Sequence, residues 1–486
     1  MQTGDIKKNA IYGVSWTSLE FIILALTQLI NLSVLARILS PADFGIFAIG
    51  TFFTTLGNSV FAMGLGPALI QKEGEVSDYL DTAWSANLLV SVLVTLLLAG
   101  LVPLLVNNYF NETQALLPTM VLLSVILISG FNNIGMVLFL KKIRMKQVVF
   151  YHVFPKLIGV GGAIVFSFLL ENFWGLVIGI IIEFTIRLIL SYVMVPRRPR
   201  FHINKTKFIE LYSFGGWLQL KNLFNWLTKS IDIAIVGAIL DTSLLGFYNR
   251  ATTLAQLPNA QITKVVNYIS FPFYSSIQKD FKRLKKAAYL NNDLVLIILF
   301  PVFIIILLYG EETVRIIMGD QWLYLTSTFQ LLTVAFGVQA YFASFTPLLR
   351  AIGFPKFEFV FYAIKISLML LLLYPLTNFY GIVGSGMAIM VSTLIAGPYI
   401  FYNVQRKIKL DVKHLIISLL INIPGFIVVY YIKKLYILIE ANSHFIFLLF
   451  AGISIIFHFL ILYLFYRILS IGPFVSIFKT TKILKK

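Results

Sequence analysis

Cysteine is absent from the 486 residues. That excludes disulfides, thiolate metal sites and a cysteine nucleophile. Charge is scarce as well: 12% of residues are charged and 59% are hydrophobic. A soluble domain carries about twice that charged share to cover its surface, and the mean hydropathy of +0.88 lies on the same side. No Gly-x4-Gly-Lys-Ser/Thr phosphate loop and no Gly-x-Ser-x-Gly elbow occurs, so no motif for ATP hydrolysis or acyl transfer is present. The five histidines, His152, His202, His414, His444 and His458, are scattered and none forms a metal-spaced pair.

What is there is a succession of apolar blocks, each near the ~20 residues that cross a bilayer. The blocks are continuous rather than alternating. Backbone groups in hydrocarbon must be satisfied within the segment or in a closed barrel, so the blocks are read as helices. The pattern predicts an all-α membrane protein of about fourteen spanning helices. Their expected positions are 10–38, 44–66, 83–106, 115–139, 148–170, 173–195, 208–239, 244–271, 289–309, 326–349, 357–376, 381–403, 413–432 and 445–468. The segment Met1 to Asn9 is polar, and the apolar run behind it is too long for a signal-peptide core. It is read as leading into a retained first helix.

The net charge of +18 does not call for nucleic acid, because the basic residues collect in alternate loops. One side holds Lys7 and Lys8, Lys72, the 141–146 and 197–207 clusters, the 279–286 cluster, Arg350, Lys356, the 406–413 cluster, Arg467 and the C-terminal lysines. These are 28 of the 39 basic residues. The other side has Arg37, Arg315, Lys433 and Lys434. An excess of this kind marks the cytoplasmic face, so both termini are expected in the cytoplasm.

The chain also resembles itself. At an offset of 201 residues, Trp16 meets Trp217, Leu26-Thr27 meets Leu227-Thr228, Ile38-Leu39 meets Ile239-Leu240, and Gly45 meets Gly246. With small gaps, Ile70-Gln71-Lys72-Glu73 answers Ile277-Gln278-Lys279-Asp280. A duplicated six-helix unit accounts for this. It predicts lobes at 1–204 and 205–408, with two additional helices in 409–486. Two halves of six helices share one orientation, a parallel repeat, and such transporters bind substrate between their halves.

Four stretches carry a family resemblance. Leu35-Ala36-Arg37-Ile38-Leu39-Ser40-Pro41-Ala42-Asp43-Phe44-Gly45 resembles the loop after the first helix of polysaccharide transporters in the MOP exporter superfamily. Gly64-Leu65-Gly66-Pro67-Ala68-Leu69-Ile70-Gln71 resembles the end of their second helix. Asp232 followed by Leu245-Gly246-Phe247-Tyr248-Asn249-Arg250-Ala251 is similar to their seventh and eighth helices, and Gly319-Asp320-Gln321-Trp322 to a further loop. The branch that the chain looks most like is the lipopolysaccharide and teichuronic-acid export group, neighbours of the O-antigen (Wzx-like) flippases. The resemblance implies a two-lobed fold whose cavity opens alternately to each side of the bacterial cytoplasmic membrane. It implies a lipid-linked oligosaccharide as substrate, carried on undecaprenyl pyrophosphate, and polymerase and export proteins of the same pathway as partners.

Charges inside the spans supply an independent pointer, since each costs about 2.5–3.5 kcal/mol at mid-bilayer on insertion scales. At about 100° per residue, Lys221, Asn225, Thr228 and Asp232 share a sector of helix 7, with Lys229 at its edge. Arg250, Thr253, Gln261, Lys264 and Tyr268 share one on helix 8, and Thr17, Glu20, Thr27 and Asn31 one on helix 1. These stripes are read as lining a hydrated, basic cavity. Lys221, Asn225, Lys229, Arg250, Gln261 and Lys264 are the substrate-binding candidates, because Arg and Lys are natural partners of a pyrophosphate. Glu20 and Asp232 are the acids on the stripes, hence the candidates for coupling to a proton or sodium gradient. No other cofactor is called for. An alternative role for Asp232 is to pair with Lys229 or Arg250 and lock the helices. Glu183 and Arg187 are read as a structural i,i+4 pair, Lys156 as following a Pro155 bend or a close helix crossing, and Gly175-x-x-x-Gly179 as helix packing.

Two other functions compete with a flippase. An ion-coupled small-molecule exporter of the multidrug type would share the fold, but a basic cavity repels cationic drugs. A membrane glycosyltransferase or polymerase needs acidic catalytic groups on a large loop, whereas the loops here are short and basic, which points away from an enzyme.

Overall fold

The computed structural model describes residues 3–439 and 444–468. Every regular element among them is helical. The chain divides into two compact units, Met1–Asn249 and Arg250–Lys486.

The first unit opens with α1 (Thr3–Ile38), α2 (Pro41–Phe61) and the short α3 (Leu65–Gln71). There follow α4 (Leu80–Asn108), α5 (Leu116–Phe131), α6 (Val137–Lys141), α7 (Met145–Leu170), α8 (Trp174–Met194) and α9 (Lys205–Ile239). The helix α10 (Thr242–Ser276) leads into the second unit. That unit holds α11 (Phe281–Ile317), α12 (Thr326–Ala343), α13 (Thr346–Ala351), α14 (Lys356–Ile408), α15 (Val412–Leu420), α16 (Asn422–Leu438) and α17 (His444–Ile468).

Among the described residues, eleven segments are long and apolar enough to cross a membrane. Their outer faces explain why water is the wrong solvent: α4 leaves Leu93, Leu96, Leu97 and Leu104 exposed, and α7 leaves Phe168 and Leu169. The predicted spans map onto these helices. Within Lys356–Ile408 the helix breaks at Gly381, φ 58°, ψ −142°, where the sequence placed the boundary between two spans. The expected span 289–309 ends where α11 is broken, at Tyr309 (φ −119°, ψ 28°), and begins after the basic first turns at Lys282–Lys286, which are helical. A helix does not have to end where the bilayer ends.

The first family-like loop has a physical reading. The Ser40 side chain and the Asp43 side chain cap each other's backbone N–H, a capping box, and Pro41 supplies the pre-set first residue of α2. Asp43 also accepts the Phe173 N–H at 3.0 Å, tying the start of α8 to the same corner. Gly45 then lets a backbone approach: a Cβ there would lie 1.9 Å from the Thr242 carbonyl oxygen. Gly246 does the reverse, since its Cβ would lie 1.8 Å from the Pro41 oxygen. Pro41 and Gly45, shifted by 201, are Thr242 and Gly246. The start of α2 and the start of α10 therefore cross with a reciprocal glycine-on-carbonyl contact inside the first unit.

In the same unit, α7 and α8 cross closely because Gly159, Gly175 and Gly179 face Glu183, Ser167 and Ala163. The core under α9 collects Met63, Leu65, Leu69, Leu80 and Leu211. In the second unit the main core joins α11, α12, α13, α14 and α15 around Leu284, Leu299, Phe345, Phe361 and Ile400. The helices α16 and α17 close a smaller one on Ile304 and Tyr309 of α11.

Candidate functional site

The α9 helix is positioned by its contacts along α2 and α3. Gly64, at φ +70°, brings its backbone against Gly215. The Gln219 amide donates to the Val60 carbonyl. The Trp226 indole N–H donates to Thr55 Oγ1 at 3.1 Å, and its ring lies 5.2 Å from that of Phe52. At the end toward the 72–79 loop, Glu210 accepts from the Lys72 ammonium and from Tyr79 at 2.8 Å. The Glu210 hydrogen bond holds the Lys72 ammonium above its ordinary pKa.

The predicted stripe uses other residues of α9. Lys221, Asn225 and Lys229 are exposed. They repeat every fourth residue, so they stand one above another, about 6 Å apart along the axis. Thr228 on the same side turns its hydroxyl back to the Phe224 carbonyl at 2.7 Å. Two ammonium groups and an amide in a column can hold adjacent anionic oxygens of one ligand, as a diphosphate presents them.

Asp232 does not join that exposed column. It is buried, with Oδ2 accepting from the Tyr248 hydroxyl at 2.6 Å and Oδ1 from the Ile233 N–H at 2.9 Å. Its angular sector is that of Lys221 and Asn225, but at its height the start of α10 covers the helix. Arg250 is half-buried on α10 in the second unit. The side chains of Gln261, Lys264 and Tyr268 lie outside the described residues.

On α1, Glu20 is nearly buried and meets His152 Nδ1 of α7 at 2.9 Å. Thr17 and Thr27 turn back onto Gly13 and Ile23 of their own helix. Asn31 keeps a buried Oδ1 without a hydrogen bond. His152 was missed in the sequence because its partner is 132 residues away.

The Glu183 carboxylate accepts from Arg187 Nη2 at 2.8 Å and from Lys156 Nζ at 2.9 Å, so three residues rather than two make this cluster. Lys365 of α14 is buried and donates to Gln339 of α12.

With fold and site in view, the comparisons place the chain. Residues 34–327 match the family described as polysaccharide biosynthesis protein, and the chain belongs to that family. It is a multi-pass helical membrane protein with bacterial relatives. The lipopolysaccharide biosynthesis protein WzxC of Escherichia coli K12 is 23% identical over 361 residues, 72% of this chain and 69% of the relative. The teichuronic acid biosynthesis protein TuaB of Bacillus subtilis 168 is 22% identical over 321 residues, 66% of each chain. A putative O-antigen transporter of Shigella flexneri is 23% identical over 420 residues, 80% of this chain and 96% of that one. Among solved structures, the lipid II flippase MurJ in an inward closed conformation superposes with a TM-score of 0.74 at 16% identity, covering 95% of this chain and all (100%) of MurJ. An inward-facing multidrug resistance MATE transporter of the MOP superfamily gives 0.61 at 13% identity, covering 82% and 98%. At such identities the superpositions establish the fold alone.

Proposed function

We propose that the chain moves a lipid-linked oligosaccharide, carried on a polyprenyl pyrophosphate, across the bacterial cytoplasmic membrane by alternating access. The observation that carries this reading is the exposed column Lys221–Asn225–Lys229 on an otherwise apolar helix, in a chain of the polysaccharide biosynthesis family. An ammonium column at membrane depth is costly unless water or an anion meets it. A pyrophosphate between a lipid tail and a sugar is an anion that has to be carried through that depth. The multidrug alternative shares the superfold, but its sequence support is weaker: the named relatives belong to surface-polysaccharide pathways.

Several finer points belong to the same proposal. The chain crosses fourteen times: the eleven apolar segments, with the long one divided at Gly381, are joined by α9 and α10. Those two fall short on hydropathy because of their polar stripes. Both termini lie in the cytoplasm, and the duplicated lobes are 1–204 and 205–408, with 409–486 appended. The reciprocal Gly45 and Gly246 contact supports the duplication, since one offset relates both halves of it. Arg250, Gln261 and Lys264 of α10 are further candidates for binding the anion, on their residue type and sequence position. Glu20, held by His152, and Asp232, held by Tyr248, are the ionisable groups through which a gradient acts. The chain catalyses no covalent step.

The experiment is transport of defined lipid-linked oligosaccharides into proteoliposomes. Alanine at Lys221 and Lys229 together should sharply reduce it at an unchanged amount of folded protein. Losing one charged hydrogen bond costs about 1.5–3 kcal/mol, and each 1.4 kcal/mol is about tenfold in binding. Transport of cationic drugs with no transport of lipid-linked sugar would favour the multidrug reading.

A further inference from the structure

The helix α15 docks on α11 through apolar residues such as Leu415 and, beside them, through a set of buried polar groups. Asp293 of α11 is 1% exposed. Its Oδ1 accepts from Ser418 Oγ at 2.7 Å, on α15, and from the neighbouring Asn292 amide at 3.2 Å. Its Oδ2 faces His414 Nε2, also on α15, at 3.5 Å. That nitrogen is buried and makes no hydrogen bond, so the pair stands at the edge of bonding distance. The His414 side chain is 18% exposed, whereas the carboxylate is 1% exposed.

The seam beyond this pair continues with polar atoms that lack partners. Asn292 Oδ1 and Asn422 Oδ1 are buried without a hydrogen bond, in residues that are 0% exposed. His458 of α17, 1% exposed, lies against Gly425 with both ring nitrogens unpartnered. Further along, the Tyr309 and Ser454 hydroxyls are 3.4 Å apart. Between Asp293 and His458 stands an apolar layer of Ile297, Ile421 and Leu462. Each orphaned buried atom carries a desolvation cost. A seam built only to hold helices together would be filled with aliphatic side chains, as the layer at Ile297 is.

We propose that Asp293 and His414 form a proton-binding site at the junction of α11 and α15, open to water through His414 and closed beyond Asp293 by the Ile297–Ile421–Leu462 layer. It rests on the transport reading only for its purpose, which is to give the two appended helices a part in gradient coupling. The site itself is a property of the second unit. A carboxylate with one oxygen saturated by neutral donors and the other facing an imidazole takes up one proton as a pair. Uptake tightens Nε2–H onto Oδ2 and draws α15 onto α11. Release leaves a bare carboxylate against a neutral ring and loosens the contact.

The other ionisable groups on the packed elements are accounted for. The Tyr289 ring of α11 lies tilted against the His414 ring, centroids 4.3 Å apart, and its hydroxyl accepts the Asp411 N–H. Tyr341 of α12 lies near enough to interact with Asp293. Lys413 and Asp411 flank His414 on the exposed side of α15. The α14 helix brings Lys365, which Gln339 holds, and α17 brings His458. Lys433 of α16 is taken by Glu312 at the far end of α11.

The test needs no transported substrate. Full-length protein with nitrogen-labelled histidine is placed in lipid and followed by solid-state NMR through the range where imidazoles titrate. Loss of one signal in His414→Gln assigns it. The pH at which His414 takes up its proton should fall by about one unit or more in Asp293→Asn, as loss of an adjacent carboxylate gives. It should rise in Ser418→Ala, which strips a donor from the carboxylate and leaves it more basic. Asp293→Glu should stay near wild type. The Ser418 and Glu variants keep the test open should Asp293→Asn fail to fold. A His414 signal that stays neutral throughout, or one indifferent to both Asp293→Asn and Ser418→Ala, overturns the site and leaves the flippase reading standing. Failure of the chain to move lipid-linked sugar while His414 responds as described would do the opposite.

Discussion

Replacing Gly246 by alanine puts a methyl carbon where 1.8 Å separates it from the Pro41 carbonyl oxygen, and Gly45→Ala does the same at 1.9 Å from the Thr242 oxygen. Real Cβ atoms essentially never come within 3.0 Å of a neighbour, so the starts of α2 and α10 must part by more than an ångström in either variant. Both obstacles are backbone, which cannot rotate away as a side chain can. Overpacking of this kind costs about 1–3 kcal/mol, and for a unit of this size that lowers the melting temperature by several degrees, at roughly 2–4 °C per kcal/mol. The reciprocity makes a sharper claim: once the helices have parted for one alanine, the second is already accommodated. The double variant should therefore cost clearly less than the sum of the singles, a coupling that independent sites lack. The assay is thermal unfolding of the detergent-purified protein, wild type, two singles and the double, in one lipid and detergent mixture. Full additivity, or singles that melt with the wild type, would refute the reciprocal contact.

The cysteine-free chain permits single-cysteine topology mapping without background: Thr206→Cys should resist an impermeant thiol reagent added outside intact cells, and Asn111→Cys should react. Glu183→Gln strands Arg187 and Lys156 together in a mostly buried place; at about 3 kcal/mol, the low end for a broken buried pair because Lys156 is partly exposed, it should lower the amount of folded protein rather than the activity of what remains. Glu20→Gln and His152→Gln should each weaken the dependence of transport on a proton gradient, measured in vesicles with the gradient set or collapsed, and an unchanged dependence in both would remove that pair from coupling.

The fold was legible because long-range order along a membrane chain is written locally. Apolar length, loop charge and glycine each act within a few residues, so the spans, the break at Gly381 and the corner at Ser40–Gly45 could be read directly. The site was legible only in part. Angular position on α9 grouped Lys221, Asn225 and Asp232, with Lys229 at the edge, but it could not say what covers the helix at each height: the two lysines and Asn225 are exposed and Asp232 is buried. Partners joined across helices were not legible: Glu20 with His152, Lys156 with Glu183, and Asp293 with His414 and Ser418 are separated by 132, 27 and more than a hundred residues. A histidine scattered along the chain gives no local sign of the carboxylate that waits for it.

The most direct test of the central claim is transport of a polyprenyl-pyrophosphate-linked oligosaccharide by the Lys221, Lys229, Arg250 triple alanine variant in proteoliposomes, beside the wild type and an Arg250→Lys variant. The account predicts transport by the wild type, a loss of at least tenfold in the triple variant with the folded protein intact, and a partial loss in Arg250→Lys, since an ammonium cannot reproduce the guanidinium fork on a phosphate. Full activity in the triple variant would contradict it, because the basic column would then not be where the anion is held.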